Sequence, residues 1–222
     1  VVATDLYRDG FEPAMRAQER RSYFQAPYDD SAVAAHTDLL RRIDGTTFLP
    51  TNDVTLPDTG NGAVFNQNDG FVYVTIPDSN LVVAVNPATK TIVKRIAVGS
   101  QPFAIALNPN TNRLYVIDQI FTSNYPYNLY VIDPVGGAVT ATIPMGFQTA
   151  SLAVDAVNNR VYVGAKYNGY VSVIDGATTF LLGTVNATGF YSDQELGVAF
   201  DAANGHVYTA NYSSASITRL KY

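Results

Sequence analysis

Cysteine and tryptophan are absent from the 222 residues, and histidine occurs only as His36 and His206. Without cysteine the chain forms no disulfide and offers no thiolate for metal binding or nucleophilic catalysis. The two histidines are separated by most of the chain, with no HxxxH or HxH spacing. Nucleophile-elbow, phosphate-loop and dinucleotide-binding motifs are also missing from the sequence. We therefore predict no catalytic residues, no metal ligands and no cofactor.

Charged residues are few, at 15%, and the formal net charge is -5. A nucleic-acid partner is not expected, because phosphate backbones are bound by clustered Lys and Arg, and the sequence has no such cluster. No apolar run approaches the roughly 18 residues that a membrane-spanning helix needs. The sequence opens with Val1 rather than Met, which we interpret as the start of a processed protein. We expect an extracytoplasmic location: secreted, periplasmic or at the cell surface.

The abundant residues are those of short strands and tight turns, with 15 Tyr, 11 Phe and 16 Gly. One strand motif occurs four times, centred on Tyr73, Tyr115, Tyr162 and Tyr208. The spacings between these tyrosines are 42, 47 and 46 residues. Each period has room for four strands, which is typical of a β-propeller blade and gives no sign of helical periodicity.

A strand of small residues and then a turn rich in Asn, Asp and Gly precede each tyrosine. The small-residue strands are 62–65, 104–107, 151–154 and 197–200. Crowding near the axis of a propeller favours Gly, Ala and Ser in the innermost strand of a blade. We therefore predict an all-β fold, a β-propeller with four four-stranded blades per chain.

The motifs Asn-Arg-Leu-Tyr-Val at 112–116 and Asn-Arg-Val-Tyr-Val at 159–163, with Val-Tyr-Thr-Ala-Asn-Tyr at 207–212, resemble the YVTN repeat. That family consists of extracytoplasmic, surface-layer-type propellers, and the resemblance covers residues 44 to 222. It implies a repeat protein of the propeller fold that is exported from the cytoplasm.

The predicted boundaries place an N-terminal arm, loop or short helix in residues 1–43 and the propeller in residues 44–222. Within the propeller, 44–61 is predicted to supply an outer strand around Val54 that completes the blade of Tyr208. The blades follow as 62–101, 102–148, 149–194 and 195–222. We considered three forms of closure: strand exchange between the termini, two chains in an eight-bladed homodimeric ring, and a fragment of a longer propeller.

Glutamine recurs 14 residues before three of the tyrosines, at Gln101, Gln148 and Gln194, and Thr59 holds this place in the first repeat. In a propeller these positions surround one mouth of the central channel. The amides are therefore candidate ligand-binding groups, with hydrogen bonds to backbone between blades as the alternative.

Two insertions carry aromatic residues: Phe121, Tyr125 and Tyr127 in 121–128, and Phe190 and Tyr191 in 188–194. Loops on a rigid scaffold often carry function, and aromatic rings stack on sugars or anchor a protein partner. The alternative is that these rings cover the edges of the blades.

Three functions follow in order of preference. The first is an exported, non-enzymatic binding or scaffold propeller that recognises a carbohydrate or protein. The second is a metal-dependent enzyme that resembles the lactonase or lyase propellers. The third is a propeller subunit similar to those of quinoprotein-type dehydrogenases.

Overall fold

A computed structural model describes residues 22–25, 32–35, 38–43, 50–119, 127–187, 196–211 and 215–220. Of residues 22–25, 32–35, 50–52 and 196 it describes the backbone alone. Every regular element within these ranges is a β-strand. The all-β class is therefore confirmed.

The strands of the described ranges form five antiparallel sheets, and each sheet is made of consecutive strands. The first sheet contains β1 (Ser22–Gln25), β2 (Ala32–Ala35), β3 (Leu39–Ile43) and β4 (Pro50–Thr55). The second contains β5 (Ala63–Asn66), β6 (Phe71–Ile76), β7 (Leu81–Asn86) and β8 (Thr91–Ala97). The third contains β9 (Pro102–Asn108), β10 (Arg113–Asp118), β11 (Asn128–Asp133) and β12 (Ala138–Pro144). The fourth contains β13 (Thr149–Asp155), β14 (Arg160–Ala165), β15 (Tyr170–Asp175) and β16 (Leu181–Asn186). The fifth has three strands in the described residues, β17 (Leu196–Asp201), β18 (His206–Asn211) and β19 (Ser216–Leu220).

The first sheet corrects the predictions for the N-terminal part of the chain. Val54 lies in β4 and is opposite Leu40 of β3, so this segment completes its own sheet rather than that of Tyr208. Residues 22–25, 32–35 and 39–43 are three strands of this sheet, so these parts of the predicted arm, loop or short helix are β-structure. The repeat was not recognised there because Ala32-Val33-Ala34-Ala35 has no tyrosine, and Arg41 and Arg42 stand where the second and third sheets have the apolar pairs Val83-Ala84 and Tyr130-Val131. The predicted short helix lies outside the described residues.

The repeat tyrosines have the same register in their sheets. Each lies in the second strand, between one residue of the first strand and one of the third. The pairs are Val64 and Ala84 for Tyr73, Ala106 and Val131 for Tyr115, Ala153 and Val173 for Tyr162, and Ala199 and Arg219 for Tyr208. The four sequence motifs are therefore structurally equivalent.

The core consists of four apolar clusters, each lying between two consecutive sheets. In the second sheet Val72 and Val74 pack on Leu40 and Val54 of the first sheet. Tyr73 lies between these valines in the sequence and packs on the third sheet. Tyr115 packs in the same way on the fourth sheet, where Val161 belongs to its cluster, and Tyr162 packs on the fifth sheet, where Val207 does. Because strand side chains alternate between faces, a strand buried on both sides joins each sheet to its two neighbours.

Tyr208 differs from the other three tyrosines in its exposure. Tyr73, Tyr115 and Tyr162 are buried, whereas Tyr208 is half-buried. Ala199, Ala210 and Ile217 share its face and are exposed, and Ile217 is 75% exposed. Among the described residues no sixth sheet packs on this face.

The two ends of the sheets differ in construction. One end, here called the turn end, has the turns 67–70, 87–90, 109–112, 134–137, 156–159, 176–179 and 202–205. The other, here called the mouth end, has the loops between second and third strands, at 77–80, 119–127 and 166–169, and the connections between sheets at 56–62, 98–101 and 145–148. All predicted glutamines of the described residues lie at the mouth end.

Asparagines at the turn end join neighbouring sheets. Asn66 accepts a hydrogen bond from Asn68 N within its own turn and donates one to Asn112 Oδ1 of the next sheet, at 2.9 Å. Asn108 repeats this and donates to Asn159 Oδ1 at 2.8 Å. The accepting asparagines have φ of 52°, in the left-handed region that Asn tolerates better than most residues. These bonds fix the register between the second, third and fourth sheets.

Candidate functional site

Gln101 and Gln148 have equivalent places at the mouth end. Each is half-buried and directly precedes the first strand of its sheet. Gln101 O accepts a hydrogen bond from Gln119 N at 3.1 Å, and Gln148 O accepts one from Lys166 N at 2.7 Å. The structure therefore brings the two glutamines to one end of neighbouring sheets, each bonded to the residue that follows the second strand.

The other two members of the predicted polar ring are placed differently. Thr59 is exposed, and its backbone N donates to Asp58 Oδ1 at 2.8 Å. Its surroundings therefore do not repeat those of Gln101. Gln194 lies outside the described residues.

A buried carboxylate holds the base of the insertion loop. Asp118 ends β10 and is fully buried. Both of its side-chain oxygens accept from the backbone N of Asn128, at 2.9 and 3.0 Å. Oδ2 also accepts from Asn128 Nδ2 and from the Tyr130 hydroxyl, each at 3.2 Å. These three residues, here called the loop clamp, fix the point where the loop 119–127 rejoins the sheet.

Burial dominates the electrostatics of the loop clamp. It raises the pKa of Asp118, while the hydrogen bonds from Asn128 and Tyr130 act in the opposite direction. The pKa of Tyr130 is raised to about 12, first by burial and then by the negative charge of Asp118. Tyr130 thus stays protonated and donates to the carboxylate at neutral pH.

Neighbouring sheets close over the loop clamp. Gly99 lies in the connection from the second sheet, and a Cβ at this position would come within 1.7 Å of the Tyr130 hydroxyl oxygen. Only glycine therefore lets this connection lie so close to Tyr130. On the other side, Thr149 of the fourth sheet donates its hydroxyl to the backbone oxygen of Asp118. Three sheets thus meet around the base of one loop.

Two amide oxygens at this end are buried without a donor. Gln119 is 3% exposed, and its Oε1 has no hydrogen-bond partner among the described residues. The Oε1 of Gln101 is also buried and has no hydrogen-bond partner among the described residues. Gln101 also has a φ of 49°, and its backbone N donates to Asn80 Oδ1 at 2.9 Å. The two residues with unsatisfied oxygens are joined by their main-chain hydrogen bond.

Lys166 has the place in the fourth sheet that Gln119 has in the third. It is 7% exposed, and its Nζ lies 5.6 Å from the centre of the Tyr167 ring. Tyr167 itself is 52% exposed. A lysine that is buried along its length with its ammonium group beside an aromatic face is a stable arrangement. The mouth end therefore combines a carboxylate, amides and one ammonium group.

The predicted aromatic residues of the insertions lie mostly outside the described residues: Phe121, Tyr125, Phe190 and Tyr191. Tyr127 is described and is half-buried, packing against the apolar cluster between the third and fourth sheets. Its backbone oxygen accepts from Met145 N at 2.7 Å. The structure thus places Tyr127 at the foot of its loop, next to the loop clamp.

Sequence reasoning missed Asp118, Gln119 and Lys166. A signal was present, because aligning the repeats places Asp118 where Ile76 and Ala165 stand. The last repeat has Asn211 there, so Asp118 is the one carboxylate among the four, and a carboxylate at a buried position needs dedicated partners. The insertion directly follows Asp118 in the sequence, which indicates that this carboxylate and its hydrogen-bond partners hold the base of the inserted loop.

Searches for known relatives give no assignment. No protein-family profile matches the chain, and no curated protein matches it. Within the ranges that the structure describes, no group of three or more His, Cys, Asp or Glu side chains is arranged to hold a metal ion. The same ranges contain no helix long and apolar enough to cross a membrane.

Proposed function

We propose that this protein is an exported, non-enzymatic binding or scaffold propeller whose mouth end recognises a carbohydrate or protein ligand. One observation carries the proposal. The loop clamp of Asp118, Asn128 and Tyr130 anchors the insertion loop at the end of the sheet where Gln101 and Gln148 lie. A loop that is longer than its counterparts but rigidly anchored is suited to recognition.

The counterparts of this loop show what the fold itself requires. The second sheet makes the same connection with the four residues Pro77-Asp78-Ser79-Asn80. Its second strand ends at Ile76, a buried apolar residue at the position that Asp118 has in the third sheet. The loop clamp therefore exists to position the longer loop rather than to hold the sheet together.

The polar groups at the mouth end support a binding role. Amide groups both donate and accept, and together with tyrosine rings they are the groups by which proteins bind sugars and polar protein surfaces. The main chains of Gln101 and Gln148 are held by hydrogen bonds from Gln119 N and Lys166 N, so the scaffold fixes the positions from which their amide groups extend before a ligand arrives. Preorganisation of this kind lowers the entropy cost of binding.

The function is tested by shortening the loop. Residues 119–127 are replaced by Pro-Asp-Ser-Asn, the connection that the second sheet uses. The wild type is expected to bind at least one member of a printed oligosaccharide array or a printed protein array. The shortened variant is expected to lose about tenfold or more of that affinity because the anchored contacts are removed.

A matched control changes a turn at the opposite end. The turn Pro134–Gly137 is replaced by Pro-Ala-Thr-Lys, the sequence of the turn at 87–90. This variant is expected to bind as the wild type does. Equal loss in both variants, or a wild type that binds nothing on either array, would contradict a binding site at the mouth end.

We further propose that the five sheets are consecutive blades of a propeller of the YVTN type. The support is the repeated tyrosine register and the apolar contact between each sheet and the next. By the same geometry, the half-buried face of Tyr208 takes another sheet of this repeat, from this polypeptide or from a second copy. The three-stranded fifth sheet then gains its fourth strand along β19.

A further inference from the structure

We infer that Gln101 Oε1 and Gln119 Oε1 form an acceptor site for the hydroxyl groups of a neutral sugar. The inference rests on the proposed function and deepens it, because it selects a carbohydrate over a protein and names the two contact atoms. It begins from the two unsatisfied oxygens, which the described fold leaves without donors.

A buried oxygen without a donor is costly to the folded protein. Burying an amide without a compensating hydrogen bond is unfavourable, and native proteins contain few such groups. Here two of them occur on residues whose main chains are bonded to each other, Gln119 N donating to Gln101 O. Two adjacent exceptions at one end of the molecule indicate a missing donor that both share.

The main chains of these two residues are fixed by their neighbours. Gln119 directly follows Asp118, which the loop clamp fixes. Gln101 is held by the bond from its backbone N to Asn80 Oδ1, in a left-handed conformation with φ of 49°. Gln148, the equivalent residue of the next sheet, does not share this left-handed backbone. The site is therefore particular to the third sheet.

The chemistry of the site selects among ligands. Two amide oxygens need a ligand that donates hydrogen bonds, and a hydroxyl group is the donor that sugars supply. An anion without a hydrogen-bond donor would meet two oxygens that can only accept. A divalent cation requires several oxygen ligands, and the Asp118 carboxylate already accepts from Asn128 and Tyr130. A neutral polyhydroxyl ligand satisfies both amides without displacing these bonds.

The test replaces the amide by a group of similar shape without an acceptor. Gln119→Met keeps the length of the side chain and removes the unsatisfied oxygen. The matched control is Gln67→Met, at an exposed turn-end position. Both proteins are measured for thermal unfolding without ligand and for binding to a printed array of neutral and acidic oligosaccharides.

Opposite effects on stability and binding are expected. Without ligand, Gln119→Met should unfold at the wild-type temperature or about 2–4 °C higher, because a buried unpaired oxygen is removed. Its affinity for the neutral oligosaccharides that the wild type binds should fall about tenfold. Gln67→Met should change neither quantity.

Each other outcome overturns the inference in a distinguishable way. If Gln119→Met unfolds at a lower temperature and binds sugars as before, the amide is a structural group satisfied by water or by the chain. If the wild type binds proteins or acidic sugars but no neutral sugar, the acceptor site is wrong while the proposed function stands. If the wild type binds nothing on the arrays, both fail together.

Discussion

At the scale of single residues, two aspartates respond to pH in opposite directions. Burial raises the pKa of Asp118 above its ordinary value of 3.8. Hydrogen bonds from Thr178 and Ala177 lower the pKa of Asp175, which caps a turn at the opposite end. A raised pKa means that the folded state disfavours the charged form, and a lowered pKa means that it favours the charged form.

The contribution of Asp118 to stability is predicted to decrease with rising pH. It is fully present below the unfolded pKa near 3.8 and is lost as pH rises through the raised folded value. Asp118→Asn removes this titration. The free energy of unfolding of the variant, relative to wild type, should therefore increase between pH 3.5 and pH 7, as measured by urea denaturation at each pH.

Asp175→Asn is the matched control, with the reverse trend. The contribution of Asp175 is present above the unfolded pKa and is lost as pH falls through the lowered folded value. Its variant should therefore lose stability relative to wild type as pH rises over the same interval. If the stability of both variants changed in the same direction with pH, burial would not be the main influence on the pKa of Asp118.

Sequence reasoning located the mouth residues only in part. Gln101 and Gln148 were found because they repeat at a fixed distance from the tyrosines. Asp118 and Gln119 were missed because each occurs once, and a repeat analysis gives weight to what recurs. Residues that depart from a repeat need the structure, which shows that they surround an insertion.

At the scale of strands and turns, the asparagine bonds at the turn end couple neighbouring sheets. Asn66 and Asn108 are fully buried, and each serves its own turn and the next sheet at once. The fourth sheet has Asp155 in this place, and the fifth has Gly205 where Asn112 and Asn159 accept. The donor and its acceptor are thus both replaced at the same interface.

A double-mutant cycle measures this coupling. Asn108→Ala and Asn159→Gly, made singly and together, should show a coupling energy of about 0.5–1.5 kcal/mol because they break the same hydrogen bond. The control cycle pairs Asn66→Ala with Asn159→Gly, which lie at different interfaces and should be additive. Additivity in both cycles would contradict a bond between the third and fourth sheets.

The strands from residue 62 onward were predictable because tyrosine motifs, small-residue strands and Asn-rich or Gly-rich turns coincide there. The first sheet was not, since β2 has the sequence Ala-Val-Ala-Ala and its neighbour β3 contains Arg41 and Arg42. Arg41 instead forms an exposed ion pair with Asp53 of β4, at 2.8 Å. A polar cross-strand pair holds a sheet edge but gives no repeat for sequence analysis to detect.

At the scale of the whole molecule, the described sheets form a series in which each covers one face of the next. The buried faces of Tyr73, Tyr115 and Tyr162 follow from this order, and so does the greater exposure of Tyr208. The candidate site at the mouth end depends on the series, because Gly99 from the connection after the second sheet and Thr149 of the fourth sheet both reach the loop clamp of the third.

Tyrosine footprinting by nitration and mass spectrometry tests this series most directly. We predict that Tyr73, Tyr115 and Tyr162 are protected, that Tyr167, at 52% exposure, reacts fully, and that Tyr208 reacts at an intermediate rate. Protection of Tyr208 that grows with protein concentration would identify a second copy as the sheet that covers it. Reaction of Tyr73, Tyr115 and Tyr162 as fast as Tyr167 would contradict the packing of sheet on sheet, and with it the site at the mouth end.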